Sequence, residues 1–201
     1  MLIRKFKLAA LAIFIILAVT ACATQVQRVA VNKDIDLSGA WNDTDSRMVS
    51  EAMIKDMLDR PWFRNYARKH NRQPAVIVGR IRNLSDEHIN VRTFVSDIER
   101  AMINSGQINF VASSNQRKEI RSERKDQDIN ASESTRKAMG QEMGADFMLK
   151  GSINTIVDME GKTQLRYYQI DLNLISLANN RMVWLGQKKI KKLIKNSRLR
   201  F

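Results

Sequence analysis

Ala75-Val76-Ile77-Val78-Gly79 decides the fold when read with two later sets: apolar residues at Val91, Phe94, Val95, Ile98, Ala101 and Met102, and the run Ile108-Asn109-Phe110-Val111. The first run is short and rich in β-branched residues, the composition of a strand buried on both faces. Gly79 with Asn83-Leu84-Ser85 reads as its exit turn. The second set recurs three and four residues apart, one stripe of a helix, with Asn90 as N-cap and Gly106 as the left-handed glycine beyond its end. Ile108 to Val111 then returns as a strand. A strand, a crossover helix and a second strand beside the first require the helix to cover one face of a sheet. The other elements must complete that sheet.

Downstream, Phe147, Leu149, Gly151, Ile153 and Thr155 alternate with Met148, Lys150, Ser152 and Asn154. Gly161 marks a turn, Tyr168, Ile170, Leu172 and Leu174 alternate with polar residues, and Asn179-Asn180 turns the chain into Met182-Val183-Trp184-Leu185. This is a meander with one apolar face. Joined to the parallel unit, it predicts an α+β fold, a mixed sheet of about five strands with helices packed on it.

Upstream, Trp41 to Asp45 opens a helix, with Asp45 as the expected cap, Val49, Ala52, Met53 and Met57 as the buried stripe, and Pro61 as its end or kink. Trp62, Phe63 and Tyr66 alternate with Arg60, Arg64, Arg68, Lys69 and Arg72, an arrangement that could stack on bases. An amphipathic helix end that packs its aromatics inward is the preferred reading, and no nucleic-acid partner is expected. Ser113 to Ser134 is dominated by charge, including Arg117, Arg121 and Arg124, and reads as a solvated helix. Ser134-Thr135 is read as the cap of a further short helix, Arg136 to Met143, closed by Gly144.

The N-terminus reads as an export signal. Arg4, Lys5 and Lys7 precede an apolar run from Leu8 to Val19, too short to span a bilayer comfortably. Val19-Thr20-Ala21-Cys22 resembles a bacterial lipobox, in which cleavage leaves the cysteine first and its thiol carries a diacylglyceryl group. Cys22 is the single cysteine, so no intramolecular disulfide can form. Two or three acyl chains would hold the mature chain on a membrane, since each buried methylene contributes about 0.8 kcal/mol. The expected organisation is a signal peptide over 1–21, a lipidated N-terminus and short tether over 22–40, one α+β domain over 41–195, and a basic tail over 196–201.

The formal charge of +13 is uneven. Three cations lie in the leader and seven between Lys188 and Arg200, which leaves about +3 for the body. The stretch Lys188 to Lys195 is read as a terminal strand or helix with a solvated face, with attraction to anionic envelope polymers or a lipid surface as the alternative.

No catalytic constellation is visible. His70 and His88 stand alone, neither a Gly-x-Ser-x-Gly nor a glycine-rich phosphate loop occurs, and no cofactor, metal or small-molecule substrate is expected. Asp86 and Glu87 are read as acids facing the N-terminal dipole of the following helix.

Several stretches carry a resemblance. Asp36-Leu-Ser-Gly-Ala-Trp-Asn-Asp-Thr-Asp45, Val76-Ile-Val-Gly79, Asn83-Leu-Ser-Asp-Glu-His-Ile89, Phe94-Val-Ser-Asp-Ile-Glu-Arg100, Gly144-Ala-Asp146 and Val183-Trp-Leu-Gly186, in this order behind a lipobox, resemble the LpoB family of penicillin-binding protein activators. The resemblance implies a fold related to the N-terminal domain of TolB and a non-enzymatic regulator of peptidoglycan synthesis. It implies a lipid-anchored protein of the outer membrane, facing the periplasm, that binds and stimulates a bifunctional class A penicillin-binding protein. It places partner contacts around Thr135 to Gly140 and on the strand after Asp146, which makes Arg136 and Lys150 the first candidates, with Arg117, Arg121 and Arg124 as an extension. Ala23 after the cysteine, rather than aspartate, favours the outer membrane by the same resemblance. The tether departs from the proline-rich one of the enterobacterial member. A CsgG-like assembly or secretion lipoprotein is the alternative, but no pair of membrane-spanning β-segments is seen.

Overall fold

The computed structural model describes residues 26–137, 139–140 and 142–195. The described residues from 35 to 195 form one compact unit. The preceding unit is described only over 26–34, where the Lys33 amide donates to the Ala30 carbonyl at 3.0 Å. Cys22, the segment expected to be a signal peptide and the basic tail over 196–201 lie outside the described residues. Among the described residues, no helix is long and apolar enough to cross a membrane.

The elements in chain order are α1 (Asp43–Asp59), α2 (Pro61–His70), β1 (Ala75–Asn83), α3 (Val91–Asn104), β2 (Asn109–Phe110), α4 (Ser114–Asn130), β3 (Phe147–Glu160), β4 (Thr163–Ser176) and β5 (Met182–Lys195). The five strands form one sheet in the order β2-β1-β3-β4-β5. β1 is parallel to both β2 and β3, while β3, β4 and β5 are antiparallel, so the sheet is mixed and the fold is α+β.

One face of the sheet is buried under α1 and α3. Val49, Met53 and Met57 on α1, with Phe94, Ile98 and Met102 on α3, meet Leu149, Ile153, Ile170, Leu172 and Leu174. The i, i+4 spacing of each helical set is what aligns it over the sheet. Trp41 closes one end, edge-on to Phe94 at 5.8 Å and to Tyr168 at 5.7 Å. The aromatics of α2 do pack inward: Trp62 and Tyr66 meet Phe147 at 5.0 and 5.1 Å, and the Trp62 indole N–H donates to the Met57 carbonyl at 2.7 Å.

Several expectations need correction. The cap of α1 is Asn42; its Oδ1 accepts the Asp45 amide at 3.0 Å and Asp45 Oδ2 accepts the Asn42 amide at 3.0 Å, a capping box in which Asp45 is the third helical residue. β1 does not turn out at Gly79 but runs on to Asn83 through a bulge: the register steps from Val78 opposite Leu149 to Ile81 opposite Gly151, so Gly79 and Arg80 together face Lys150. A Cβ at Gly79 would stand 2.8 Å from Met148 Sδ and 3.1 Å from Lys150 Cγ, which is why a side chain is absent there. β2 pairs over only two residues.

The helix expected over 136–143 is not formed by the described residues of that segment. Ser132 draws the chain into a turn instead, its carbonyl accepting the amides of Thr135 and Arg136 and its hydroxyl meeting Thr135 Oγ1 at 2.7 Å. Gly140 adopts φ +87°, and eight residues with a left-handed glycine inside are too few to nucleate a helix without a buried face. Residues 35–40, read as tether, are held by the body, as described below. The basic stretch Lys188 to Lys195 is the second half of β5.

Candidate functional site: the uncovered face of the sheet

The helices α1 and α3 leave the second face of the sheet open, apart from one corner. There Ala75, Ile77 and Val111 form a small second core with Ala145 and Met148. Beyond it, register sets cross-strand rows on the open face: Lys150 beside Asn173 and Leu185, and Ser152 beside Asp171 and Gln187. Asp171 fixes the second row, accepting from Gln169 Nε2 and Gln187 Nε2 at 2.8 Å each.

A cavity of about 440 Å³ lies on this face, with Arg80, Arg82, Lys150, Ser152, Asp171 and Asn173 among its lining residues. Three cations face one carboxylate, and that carboxylate is already committed to two amides. None of Arg80, Arg82 and Lys150 is ion-paired among the described residues. The Asn173 Oδ1 is buried without a hydrogen-bond partner among them. The arrangement can bind acidic or amide-bearing groups.

The other candidates are placed differently. Arg117, Arg121 and Arg124 lie on α4, a helix with no buried residue, started by Ser113 and Gln116 as a capping box. Glu142 gathers two of them: Arg121 donates from Nε at 2.9 Å and Nη2 at 2.8 Å, and Arg124 from Nη1 at 3.1 Å. The Arg121 hydrogen bonds hold the Glu142 carboxyl below its usual range. Arg117 donates to the Ala112 carbonyl at 2.7 Å. Arg136 is exposed, 3.9 Å from Glu133. So Lys150 joins Arg80 and Arg82, whereas the α4 arginines form a separate cluster around Glu142. Arg80 and Arg82 were missed because β1 was ended at Gly79; the alternation of Arg80 and Arg82 around Ile81 was the available signal.

Polar and aromatic residues of the stretches that carried the resemblance tie the helices and strand ends to the sheet. Glu87 is not in the first turn of α3, which begins at Val91. It accepts the Tyr168 hydroxyl at 2.6 Å and the Trp41 amide at 3.1 Å, and pairs with Arg166. Burial, reinforced by Glu87, pushes the Tyr168 hydroxyl pKa up, so it stays a donor. Asp146 takes both Arg72 Nη atoms, at 2.8 and 2.7 Å, and the Ala75 amide at 2.8 Å, fixing the start of β1 beside β3. Trp184 Nε1 donates to Asp56 Oδ2 at 2.9 Å.

Sequence comparison matches residues 45–190 to a family model described as peptidoglycan-synthase activator LpoB. The chain belongs to the LpoB family. Solved structures with a likeness to it include the LpoB C-terminal domain from Escherichia coli, at 15% identity and TM-score 0.47, and that from Salmonella enterica, at 14% and 0.43; each match covers 74% of this chain and 99% of the other. Lipoprotein GNA1162 from Neisseria meningitidis follows at 12% identity and TM-score 0.41, covering 62% of this chain and 87% of the other. No curated protein matches the chain. The family model describes its members as activators of a peptidoglycan synthase. Among the described residues, no group of three or more His, Cys, Asp or Glu could hold a metal ion.

Proposed function

We propose that this protein is a periplasmic regulator of peptidoglycan synthesis, lipidated at Cys22 and held at the outer membrane, which binds and activates a class A penicillin-binding protein. The match to the synthase-activator family over 45–190 is the observation that carries this reading. Activation requires only that the protein bind the working conformation of the enzyme more tightly than the resting one, so no catalytic group is needed on the activator. The uncovered sheet face with Lys150, Arg80 and Arg82 is the proposed contact, matched to an acidic patch on the partner. Arg136 and the α4 arginines form its outer part; those already engaged by Glu142 contribute less, since breaking an existing pair offsets the new one.

The test mixes the mature chain with each class A penicillin-binding protein of the same cell and records binding and glycan polymerisation. Faster polymerisation is expected with one of them. The charge reversal K150E should weaken that stimulation about tenfold or more while changing stability by less than about 0.5 kcal/mol. Absence of binding to every class A enzyme would refute the reading.

A further inference from the structure

The chain enters the compact unit at Ile35, and what it meets there is the far half of β5. Lys192 Nζ donates to Asp36 Oδ1 at 2.7 Å and to the Ala40 carbonyl at 3.2 Å, while Gly39 lies so close to Ile194 that a Cβ would stand 2.3 Å from Ile194 Cδ1. The entry point is therefore fixed beside residues 192–194. From Cys22 to Ile35 is 13 peptide units, a leash of at most roughly 45 Å when fully extended. If the lipid sits on Cys22, the end of the body nearest the bilayer is the end where β5 finishes.

That end is cationic and partly apolar. Lys188, Lys189, Lys191 and Lys195 are exposed and have no ion-pair partner among the described residues; Leu193, between two of them, is 62% exposed. Lys189, Lys191, Leu193 and Lys195 alternate along β5, so they share the open face. The neighbouring β4 residues on that face, Leu165, Tyr167 and Gln169, carry no charge; the acids Asp158 and Glu160 lie one strand further away, on β3. Among the described residues β5 is also an edge strand, without a neighbour beyond it in the sheet.

We propose that the far half of β5 is a second membrane contact, in which Lys189, Lys191 and Lys195 bind anionic phospholipid headgroups and Leu193 enters the interface between them. This rests on the lipid-anchor part of the proposed function. A cation beside an anionic leaflet is worth about fivefold in partition, and the effect is lost within a Debye length, so a short leash is what makes these lysines effective. The contact lays the body down at the surface by its β5 end, with Arg82 and Lys150 further along the same face in the rows of Gln187 and Leu185.

The test uses the mature lipidated chain reconstituted in vesicles of phosphatidylcholine, with or without phosphatidylglycerol. Lysines are acylated with a water-soluble reagent and the rate at each site is read by mass spectrometry. Labelling at Lys189, Lys191 and Lys195 should fall about fivefold or more when phosphatidylglycerol is present and recover at high salt, while Lys118 and Lys125 on α4 keep their rates. Equal rates at β5 in both vesicles would overturn the proposal. The same spectra read the mass of the peptide that contains Cys22, so failure of the anchor is seen separately. If that peptide carries no lipid, pelleting of the chain with phosphatidylglycerol vesicles decides the β5 contact: salt-sensitive pelleting lost in the K189Q/K191Q variant supports it, and no pelleting overturns it.

Discussion

Replacing Gly186 by alanine tests whether the Val183 to Gly186 stretch is a packing device. Gly186 is buried and its Cα lies under the Trp184 indole: an added Cβ would stand 2.1 Å from Cζ2 and 2.4 Å from Cη2 of the ring. The ring cannot yield cheaply. Trp184 is 5% exposed, belongs to the main core and donates to Asp56. Forcing one carbon into such a site costs about 1–3 kcal/mol. Shifting the indole also stretches the bond to Asp56, whose side chain is 38% exposed, so about 1 kcal/mol more is the appropriate figure. The sum is about 3 kcal/mol, and with a urea m-value of about 2 kcal/mol/M the midpoint should fall by about 1.5 M. Trp184→Leu provides the control. With the indole gone, the added methyl has room, and Gly186→Ala should cost no more than about 0.5 kcal/mol in that background. Equal costs in both backgrounds would refute the argument, because the strain would then lie in the backbone or against another neighbour.

Three further substitutions probe the polar ties. Asp146→Asn removes the carboxylate that holds Arg72 and the Ala75 amide and should cost about 2 kcal/mol at neutral pH by urea unfolding. Burial alone would raise the Asp146 pKa, but the bonds from Arg72 and Ala75 prevail and lower it from the ordinary 3.8. Its contribution is therefore present above that value and lost as pH falls through the lower folded pKa, so the gap between the two proteins should close in that acid window. A gap independent of pH would remove the charge from the explanation. Glu87→Gln leaves Arg166, whose side chain is 21% exposed, without its carboxylate, and should cost about 3 kcal/mol; a change under about 1 kcal/mol in the thermal or urea transition would show the network to be dispensable. Lys192→Met strands Asp45, whose side chain is 3% exposed and whose pKa burial already raises above 3.8 despite Lys192 and the Asn42 amide. Here the sign reverses: a raised carboxylate pKa means stability is lost as pH rises from the unfolded value, so the deficit of the variant should grow from about pH 4 upward to about 3 kcal/mol. A deficit that is largest in acid would contradict this.

Where the sequence reading succeeded and where it failed have the same physical cause. The alternation of Leu149 with Lys150 and of Leu172 with Asn173, and the stripe Phe94, Ile98, Met102, are local consequences of one buried face, so periodicity alone located strands, turns and helix. The left-handed Gly106 and Gly161, at φ +64° and +56°, and Asn180, at +58°, sit at the expected turns. Long-range pairing is not periodic. Glu87 meets Tyr168 across 81 positions of chain, and nothing near Glu87 distinguishes it from a first-turn acid. Lys192 looked like one of a run of solvated lysines, yet it reaches Asp45 at 2.6 Å and pins the segment from Asp36 to Ala40, which the polar composition had assigned to the tether. The bulge at Gly79 and Arg80 shifts the alternation by one residue and hid the end of β1. At the candidate site, Lys150 was named from the resemblance, whereas Arg80 and Arg82 signalled themselves only by alternating around Ile81, and placing them beside Lys150 required the pairing of β1 with β3.

The stretches that carry the family resemblance supply most of the internal ties of the fold, and only a few of their residues, such as Ile77, Gly79 and Leu185, face the open side with Lys150. Asn42 caps α1, Asp45 receives Lys192, Glu87 joins Trp41 to Tyr168, Asp146 clamps β1, and Trp184 covers Gly186. Asn42 acts within α1, and the others tie a helix, a strand end or the entering chain to the sheet through bonds made inside the molecule. Arg80, Arg82 and Lys150 lie instead on the uncovered face, outside every one of those stretches. Groups whose hydrogen bonds are complete gain little by meeting a partner, while cations without a described counter-ion gain the full charge-assisted contact. The proposed contact therefore sits where a side chain can change without disturbing the ties that hold the sheet to its helices, while the family match goes with the scaffold those ties maintain.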